Sequence, residues 1–380
     1  MNIRDKAIAI ALLASLAFPA AADITIGVTV SATGPGAALG LPQKNTVALV
    51  PSSLNGEKIN LVVLDDATDP TNAARNASKF INELKVDAII GSSTTTNTAA
   101  IAEAASQAKT PLLGLAPLEL SGAKDKWIFK MPQHNGVMGK ALVEHMQANG
   151  VKTIGFIGFA DVFGELWLRD ITPMLVNAGI KLVAVERFNR VDTSVTGQVL
   201  KIISANPDAV LVVAGGSPAV LPHVTLVERG YKGRIYQTHG APSSVFLKLG
   251  GKNVEGGIFV AGPLLVWDQL PDSAPTKKVA ADYAKRYEEK YGAGSLASFG
   301  GHLWDAWLLL EHAIPVALKK ARPGTEQFRI ALRDALEASK EVVGVHGVYN
   351  MSPTDHFGHD ERSRVLLRVE NNAFKRINYK

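Results

Sequence analysis

The chain has 380 residues, enough for two domains of ordinary size, and its 47% hydrophobic and 20% charged content is that of a folded protein, not a disordered or fibrous one. Forty Lys+Arg against 35 Asp+Glu leave a formal charge of +5 without a long basic run, which argues against nucleic acid as a partner. With no cysteine, disulfides, zinc fingers, iron–sulfur clusters and thiol nucleophiles are excluded.

Arg4 and Lys6, the uncharged stretch Ala7–Phe18 and the run Ala20-Ala21-Ala22 have the layout of a signal peptide cleaved after Ala22. No later stretch is long and apolar enough to suggest a membrane span, so an exported, periplasmic protein is expected. Strands are then expected over Ile24–Val30, Ile59–Leu64, Val86–Ile90 and Pro111–Leu115. Between them come helices from Pro70 to Leu84, where Asp69-Pro70 supplies the N-cap and first-turn proline, and over Asn97–Ala108. After a change of texture at Lys130–Asn135 the alternation restarts with a helix over 136–149. Strands follow at Thr153–Ile157, Lys181–Glu186, Ala209–Val213 and Arg234–Gln237, separated by helices over Phe163–Ala178, 195–205 and 219–229. The rest reads as a strand at Gly256–Val260, a long loop Gly262–Pro275 and helices near Lys277–Lys290, Ser298–Lys320 and Glu326–Ala338. Short strands near Val343–Tyr349 and Arg364–Val369 close the chain.

Continuous short apolar runs are what parallel strands covered on both faces require. Two successive βα series therefore predict an α/β protein of two doubly wound lobes. If the C-terminal helices cover the first lobe and the last strands return to the second, a multi-crossover hinge joins them. The division is then 1–22 as signal peptide, 23–135 plus 264–343 as N-terminal lobe, and 136–263 plus 344–380 as C-terminal lobe.

Two loops stand out. Gly34-Pro35-Gly36-Ala37-Ala38-Leu39-Gly40 follows a strand, and Asp65 or Asp66 ends the next, as in a dinucleotide fingerprint. The spacing is GxGxxxG, however, and Pro35 removes an N–H where a pyrophosphate would dock, so a ligand-facing loop without a phosphate is expected. Ser92-Ser93-Thr94-Thr95-Thr96 sits between a strand and a helix N-terminus, where hydroxyls and free N–H groups suit a carboxylate; five hydroxyl residues exceed what capping needs. His346, His356, His359 and Asp360 match no common zinc spacing, and G-x-S-x-G, H-E-x-x-H and P-loop motifs are absent. No catalytic residue, metal or cofactor is therefore expected. Trp304 and Trp307 lie at helical spacing and read as core. His239 ends a strand, where α/β sites lie, and reads equally well as a structural histidine.

The segments ITIGVTVSATGPGAALG, LDDATDP, IIGSSTTTNTAAIAEAA, TPLLGLAP and ADVFGE, in that order, span essentially the exported chain. Together they resemble the branched-chain amino-acid (Leu/Ile/Val) binding family of ABC-transporter solute-binding proteins. The resemblance implies the type I periplasmic binding protein fold, three crossovers and lobe closure over a small ligand, with a membrane permease and an ATPase as partners of a monomer. It further implies that Thr95, flanked by Thr94 and Thr96, and the backbone at Ala116, Pro117 and Leu118 hold the ligand carboxylate, and that Phe163 closes over it. Amino-acid binders of the family place an acidic residue where this chain has His239-Gly240-Ala241, and often a tyrosine where it has Leu39. An unpaired ammonium buried there would cost several kcal/mol. Glu119 is the one nearby substitute. The segments KMPQHNG, FIGFADVFGE, YQTHGA and VVGVHGVYNMSPTDHFG look closest to members that bind aromatic acids. A benzoate or hydroxycinnamate is thus the leading ligand, with His239 or Asn135 reaching its carboxylate or a polar ring substituent. A branched-chain or other apolar amino acid is the alternative, as is a ligand sensor of the same fold; an exported dehydrogenase is a more distant one.

Overall fold

The computed structural model describes residues 23–120 and 122–378, and the signal peptide expected at 1–22 lies outside the described residues. One sheet runs in the order β2 (Ser53–Leu54), β3 (Glu57–Asp65), β1 (Ile24–Val30), β4 (Ala88–Ile90), β5 (Leu112–Gly114) and β6 (Ile128–Lys130). Its neighbours are parallel except β2, which folds back on β3. The other runs β15 (Ala373–Ile377), β14 (Val365–Glu370), β11 (Ile258–Ala261), β10 (Arg234–Gln237), β9 (Ala209–Val213), β7 (Thr153–Phe159) and β8 (Lys181–Phe188). Here β14 and β15 add an antiparallel edge to an otherwise parallel sheet. The chain thus forms two α/β lobes, each with a mixed sheet.

Helices cover both faces of the central strands, which is why those strands read as unbroken apolar runs. In the first lobe Ile26, Val28, Leu113 and Phe129 pack with Tyr283, Leu303, Trp307 and Phe328 of the C-terminal helices. Phe80, Ile89, Ile101 and Leu112 fill the opposite face. The second core gathers Phe156, Ile157, Val212, Tyr236 and Phe259 with Leu366 and Leu367 of the chain's last strands. Met131, Ala280 and Met351 belong to the first core, and Met138, Ala261 and Val365 to the second. The chain therefore crosses between the cores in three stretches: 131–138, 261–280 and 351–365.

Several elements depart from the sequence expectation. The Gly34–Gly40 loop runs into a full helix, Ala37–Val47. The helix begun at Pro70 loosens after Ser78 into a π turn at Lys79–Glu83. The loop expected at Gly262–Pro275 carries a 3₁₀ stretch, Pro263–Gln269. The strand expected at Val343–Tyr349 is two antiparallel pieces, β12 (Val342–Val343) and β13 (Val348–Tyr349). β6 and β15 lie where no strand was expected. β6 is three residues long, too short to show a period, and β15 alternates weakly because it is a sheet edge.

Strand order reverses at β1, with β3 on one side and β4 on the other, and again at β7, between β8 and β9. In open α/β sheets the crevice beyond the carboxyl ends of strands at such a switch point is where ligands bind. Here both sheets turn loops from their carboxyl ends toward one shared cleft.

Candidate functional site

The cleft holds at most about 430 Å³ of empty space, part of it open to solvent. Its first wall comes from loops after strands of the first sheet. Leu39 and Gln43 follow β1, Ser93, Thr94 and Thr95 follow β4, Leu115, Ala116 and Pro117 follow β5, and Pro132 follows β6. The second wall has the same origin: Phe163 after β7, Arg190 after β8, Gly215 after β9, and His239 and Gly240 after β10. Phe299 and His302 also line the cavity, from the helix Ser298–Leu318 that packs in the first lobe's core. No aspartate or glutamate lines this cavity among the described residues.

The hydroxyl turn divides its work. Ser92 hydrogen-bonds the buried Asp66 carboxylate, which also accepts from Ser31 Oγ at 2.7 Å and Asn97 Nδ2 at 2.8 Å. Ser93 donates to Gln43 and accepts from the Ser31 N–H at 2.9 Å. Thr94 caps the helix Thr95–Gln107 by accepting from the Asn97 N–H. Thr95 and Thr96 have buried hydroxyls with no hydrogen-bond partner among the described residues. As first residues of that helix their N–H groups also lack intrahelical acceptors. At Thr95 unused donors therefore converge on the cleft at the positive end of a helix dipole.

The glycine loop serves packing. A Cβ at Gly40 would lie 2.1 Å from the Ser31 carbonyl oxygen, so glycine lets the helix sit against the end of β1. Asp65, the apparent ribose-binding acid, accepts from the Ala32 N–H at 2.9 Å, the Ala67 N–H at 2.8 Å and Thr33 Oγ1 at 2.7 Å. Burial pushes its pKa up, but these hydrogen bonds outweigh it and hold the carboxyl below its ordinary value. Its lone pairs are spent on the loop.

On the second wall Asp161 caps the helix Val162–Asn177 through the N–H groups of Phe163 (3.0 Å) and Gly164 (3.2 Å), which fixes Phe163 at the cleft. A Cβ at Gly164 would meet the Phe159 carbonyl oxygen at 1.9 Å. Gly164→Ala is expected to destabilise the protein by about 1–3 kcal/mol through this overpacking, checked by urea unfolding. The other Asp161 oxygen accepts from Arg190 Nε at 2.7 Å, and the guanidinium lies 4.0 Å over the Phe159 ring. Arg190 Nη1 is buried without a partner. Burial lowers its pKa and the Asp161 charge opposes this, and an arginine stays protonated at neutral pH. Arg190 and Thr94 also border an adjoining groove with Thr96 and Asn97, so the cation faces the hydroxyl turn across the cleft.

His239 packs against Phe163 and Trp167, ring centroids 6.2 and 5.7 Å away. Neither of its ring nitrogens has a partner, and burial brings its pKa down to about 3. His302 stacks on His346 at 4.3 Å, leaves Nδ1 unpaired, and is likewise held neutral by burial.

Of the residues singled out from sequence, Thr94, Thr95, Ala116, Pro117, Leu39, Phe163, His239 and Gly240 line this one cavity. Thr96 borders the adjoining groove, and Leu118 is buried with Phe80 and Ile101 in the first lobe. Asn135 begins the helix Asn135–Ala148 and donates to Asp170 at 3.0 Å, away from the cleft wall. Glu119 is engaged by Arg169 and lies 2.9 Å from His134 Nε2. His356 is tied to the Asp125 and Ile128 carbonyls and to Glu337. Among the described residues no group of three His, Asp or Glu side chains is placed to hold a metal ion.

Sequence reasoning included Ser93 within the hydroxyl run and missed Gln43, Leu115, Pro132, Arg190, Gly215, Phe299 and His302. For Arg190 one signal existed, a lone basic residue just beyond a strand end, where α/β sheets present their ligand contacts. Phe299 and His302 carried none, since they come from a helix far along the chain.

Two lobes, three connecting stretches and an interlobe pocket of unspent polar groups define a ligand-binding receptor. Residues 23–370 match the periplasmic binding protein family model, and the chain belongs to that family. It is similar to an amino acid binding protein of Pseudomonas aeruginosa, 27% identical over 78% of this chain and 79% of that one. An extracellular ligand-binding receptor from Rhodopseudomonas palustris superposes with a TM-score of 0.93 at 47% identity, over 94% of this chain and 100% of that chain. A leucine binding protein from Thermotoga maritima shares the fold, with a TM-score of 0.78 at 23% identity over 93% and 98% of the two chains.

Proposed function

We propose that this protein is the extracytoplasmic binding component of an ABC uptake system, and that its ligand is a small aromatic carboxylate, such as a benzoate or hydroxycinnamate, without an amino group. The observation that carries the reading is the charge pattern of the cleft: a buried Arg190 with a free Nη1 opposite the unused Thr95 hydroxyl, and no acidic residue in the wall. An anion has donors on both lobes, whereas an α-ammonium finds no counter-charge. Phe163, Phe299, Pro117, Pro132, Leu39 and Leu115 supply apolar and flat surface for a ring between them. Contacts on both walls favour the closed form, which a monomer then presents to a permease and its ATPase. The protein acts as a carrier and performs no chemistry.

The names of relatives favour an amino acid as the second reading. Glu119, the substitute acid, speaks against it, being occupied by Arg169 and His134 outside the cavity. A titration of refolded, ligand-free protein with benzoate, 4-hydroxycinnamate and leucine separates the two; tight leucine binding without any response to the aromatic acids would sink the aromatic reading. Thr95→Ala is expected to weaken aromatic-acid binding by about 1–3 kcal/mol, the range for a buried hydrogen bond to a charged group. Unchanged affinity would place the carboxylate elsewhere.

A further inference from the structure

We infer that Glu119 and Arg169 form a latch between the lobes, outside the ligand cavity, that favours the closed form even without ligand and so sets part of the affinity. The latch rests on lobe closure alone and is independent of which ligand the cleft takes.

The two residues belong to different bodies. Glu119 lies between Leu118 and Leu120, which pack with Phe80 and Ile101 in the first lobe. Arg169 sits on the helix Val162–Asn177, between Trp167 and Ile171 of the second core. Neither lines the cavity. Arg169 Nη2 donates to Glu119 Oε2, a charged hydrogen bond that joins one lobe to the other. The other carboxylate oxygen, Oε1, is 2.9 Å from His134 Nε2. His134 Nδ1 accepts from the Gly136 N–H at 2.9 Å, so Nε2 carries the proton and donates to Glu119. His134 itself stands in the first hinge stretch, 131–138.

An isolated ion pair at the surface contributes little, because two long side chains must be ordered to make it. Here both partners are already held. Arg169 Nε donates to Asp170 Oδ1 at 2.7 Å, and Asp170 Oδ2 accepts from Asn135 Nδ2 at 3.0 Å. The Asp170 side chain is only 9% exposed. Asn135 follows His134 in the hinge stretch, so Glu119, Arg169, Asp170, Asn135 and His134 close a ring around the start of that crossing. When the second core turns about the hinge Arg169 leaves with it, and the bond to Glu119 is present in the closed form only. The lobes touch directly at a second place. Gly216 of the second lobe has a φ of +69°, and a Cβ there would lie 3.6 Å from Leu39 Cγ and 3.7 Å from the Pro35 carbonyl oxygen of the first. Closure thus sets protein against protein as well as protein against ligand. A contact that favours the closed form reduces the cost of closing that ligand binding otherwise has to meet.

The test measures the distance between the lobes with no ligand present. The chain has no cysteine, so Thr71→Cys and Thr193→Cys supply the only spin-label sites. Both positions are exposed, close to Pro70 and Val191, which border one groove from the two lobes. Pulsed double electron–electron resonance on the refolded, ligand-free exported chain is expected to resolve a shorter, closed distance and a longer, open one. Glu119→Gln is expected to lower the closed-to-open ratio about threefold or more, the scale of one ion pair. Arg169→Glu, which turns attraction into repulsion, is expected to lower it about tenfold or more. Both side chains reach solvent, and should one variant fail to melt cooperatively the other decides. A single open distance in the unsubstituted labelled protein, or the same ratio with and without the substitutions, overturns the latch. That result leaves the aromatic-acid reading as it stands, and failure of that reading in the titration leaves the latch.

Discussion

Replacing Arg190 by glutamine lowers affinity for an aromatic carboxylate by roughly 30- to 1,000-fold, or about 2–4 kcal/mol, the scale for truncating one member of a buried charge pair. The size follows from where the guanidinium sits. One face lies on Phe159, Nε is committed to Asp161, and Nη1 is buried and unpaired, so a ligand anion there is shielded from water and meets a donor already held in place. Two confounding effects are separable. Loss of Arg190 leaves Asp161 without its cation, and an Arg190→Gln, Asp161→Asn double variant removes that charge while keeping a residue able to cap the helix. Benzamide, a neutral isostere of benzoate, supplies the charge control. Wild type is expected to prefer benzoate strongly and the variant to lose the preference, with both proteins melting cooperatively. A variant that still discriminates benzoate from benzamide as wild type does would show that the charge is read elsewhere.

The second large effect is acid destabilisation. Burial lowers the pKa of His223, His239 and His359 to about 3 and of His346 to about 4, and pushes His302 well below its ordinary value. Each remains neutral in the folded protein while its unfolded counterpart gains a proton near pH 6.5. The unfolded chain then binds more protons, so stability is fully present above about pH 6.5 and falls as pH drops toward 4. By pH 5 each such histidine removes about 2 kcal/mol. Asp305 acts in the opposite sense. Burial raises its pKa to about 7, against hydrogen bonds from the N–H groups of Val345 and His346 and from the Tyr349 hydroxyl. It takes up a proton in the fold that an unfolded aspartate would not, which offsets part of the loss between pH 7 and 4. Five histidines outweigh one aspartate, so urea midpoints measured at pH 8, 6.5 and 5 are expected to be flat over the first interval and to drop steeply over the second. A midpoint unchanged from pH 6.5 to 5 would mean these histidines are hydrated or paired in solution. Ligand binding, by contrast, is expected to vary little between pH 6 and 8, since Arg190 stays charged and His239 and His302 stay neutral.

Much of this architecture is legible in the sequence. Apolar runs such as Ile24–Val30 and Ala209–Val213 mark parallel strands because covering helices demand apolar residues on both faces. The hydroxyl run at Ser92–Thr96 marked a helix start with more donors than a cap requires, and in the fold Ser92, Ser93 and Thr94 bond within the protein while Thr95 turns its hydroxyl on the cleft. The glycine loop, set aside as a dinucleotide fingerprint for its spacing and Pro35, puts Leu39 on the cleft, and Gly40 is there for the close approach of a helix to Ser31.

Local pattern therefore determined most of the element order and the strand-end loops that supply a site, because each depends on residues near one another in sequence. It could not assign Arg190, Phe299 or His302 to the cleft, since a single arginine beyond a strand or a histidine within an apolar helix has the same local signature whether it faces ligand, partner or solvent. Only the folded chain decides that Arg190 of one lobe stands opposite the hydroxyl turn of the other, and that His302 shares a cavity with His239 across about 60 residues of intervening chain. Those juxtapositions are set by the three hinge crossings and the packing of two separate cores, which no short stretch of sequence encodes.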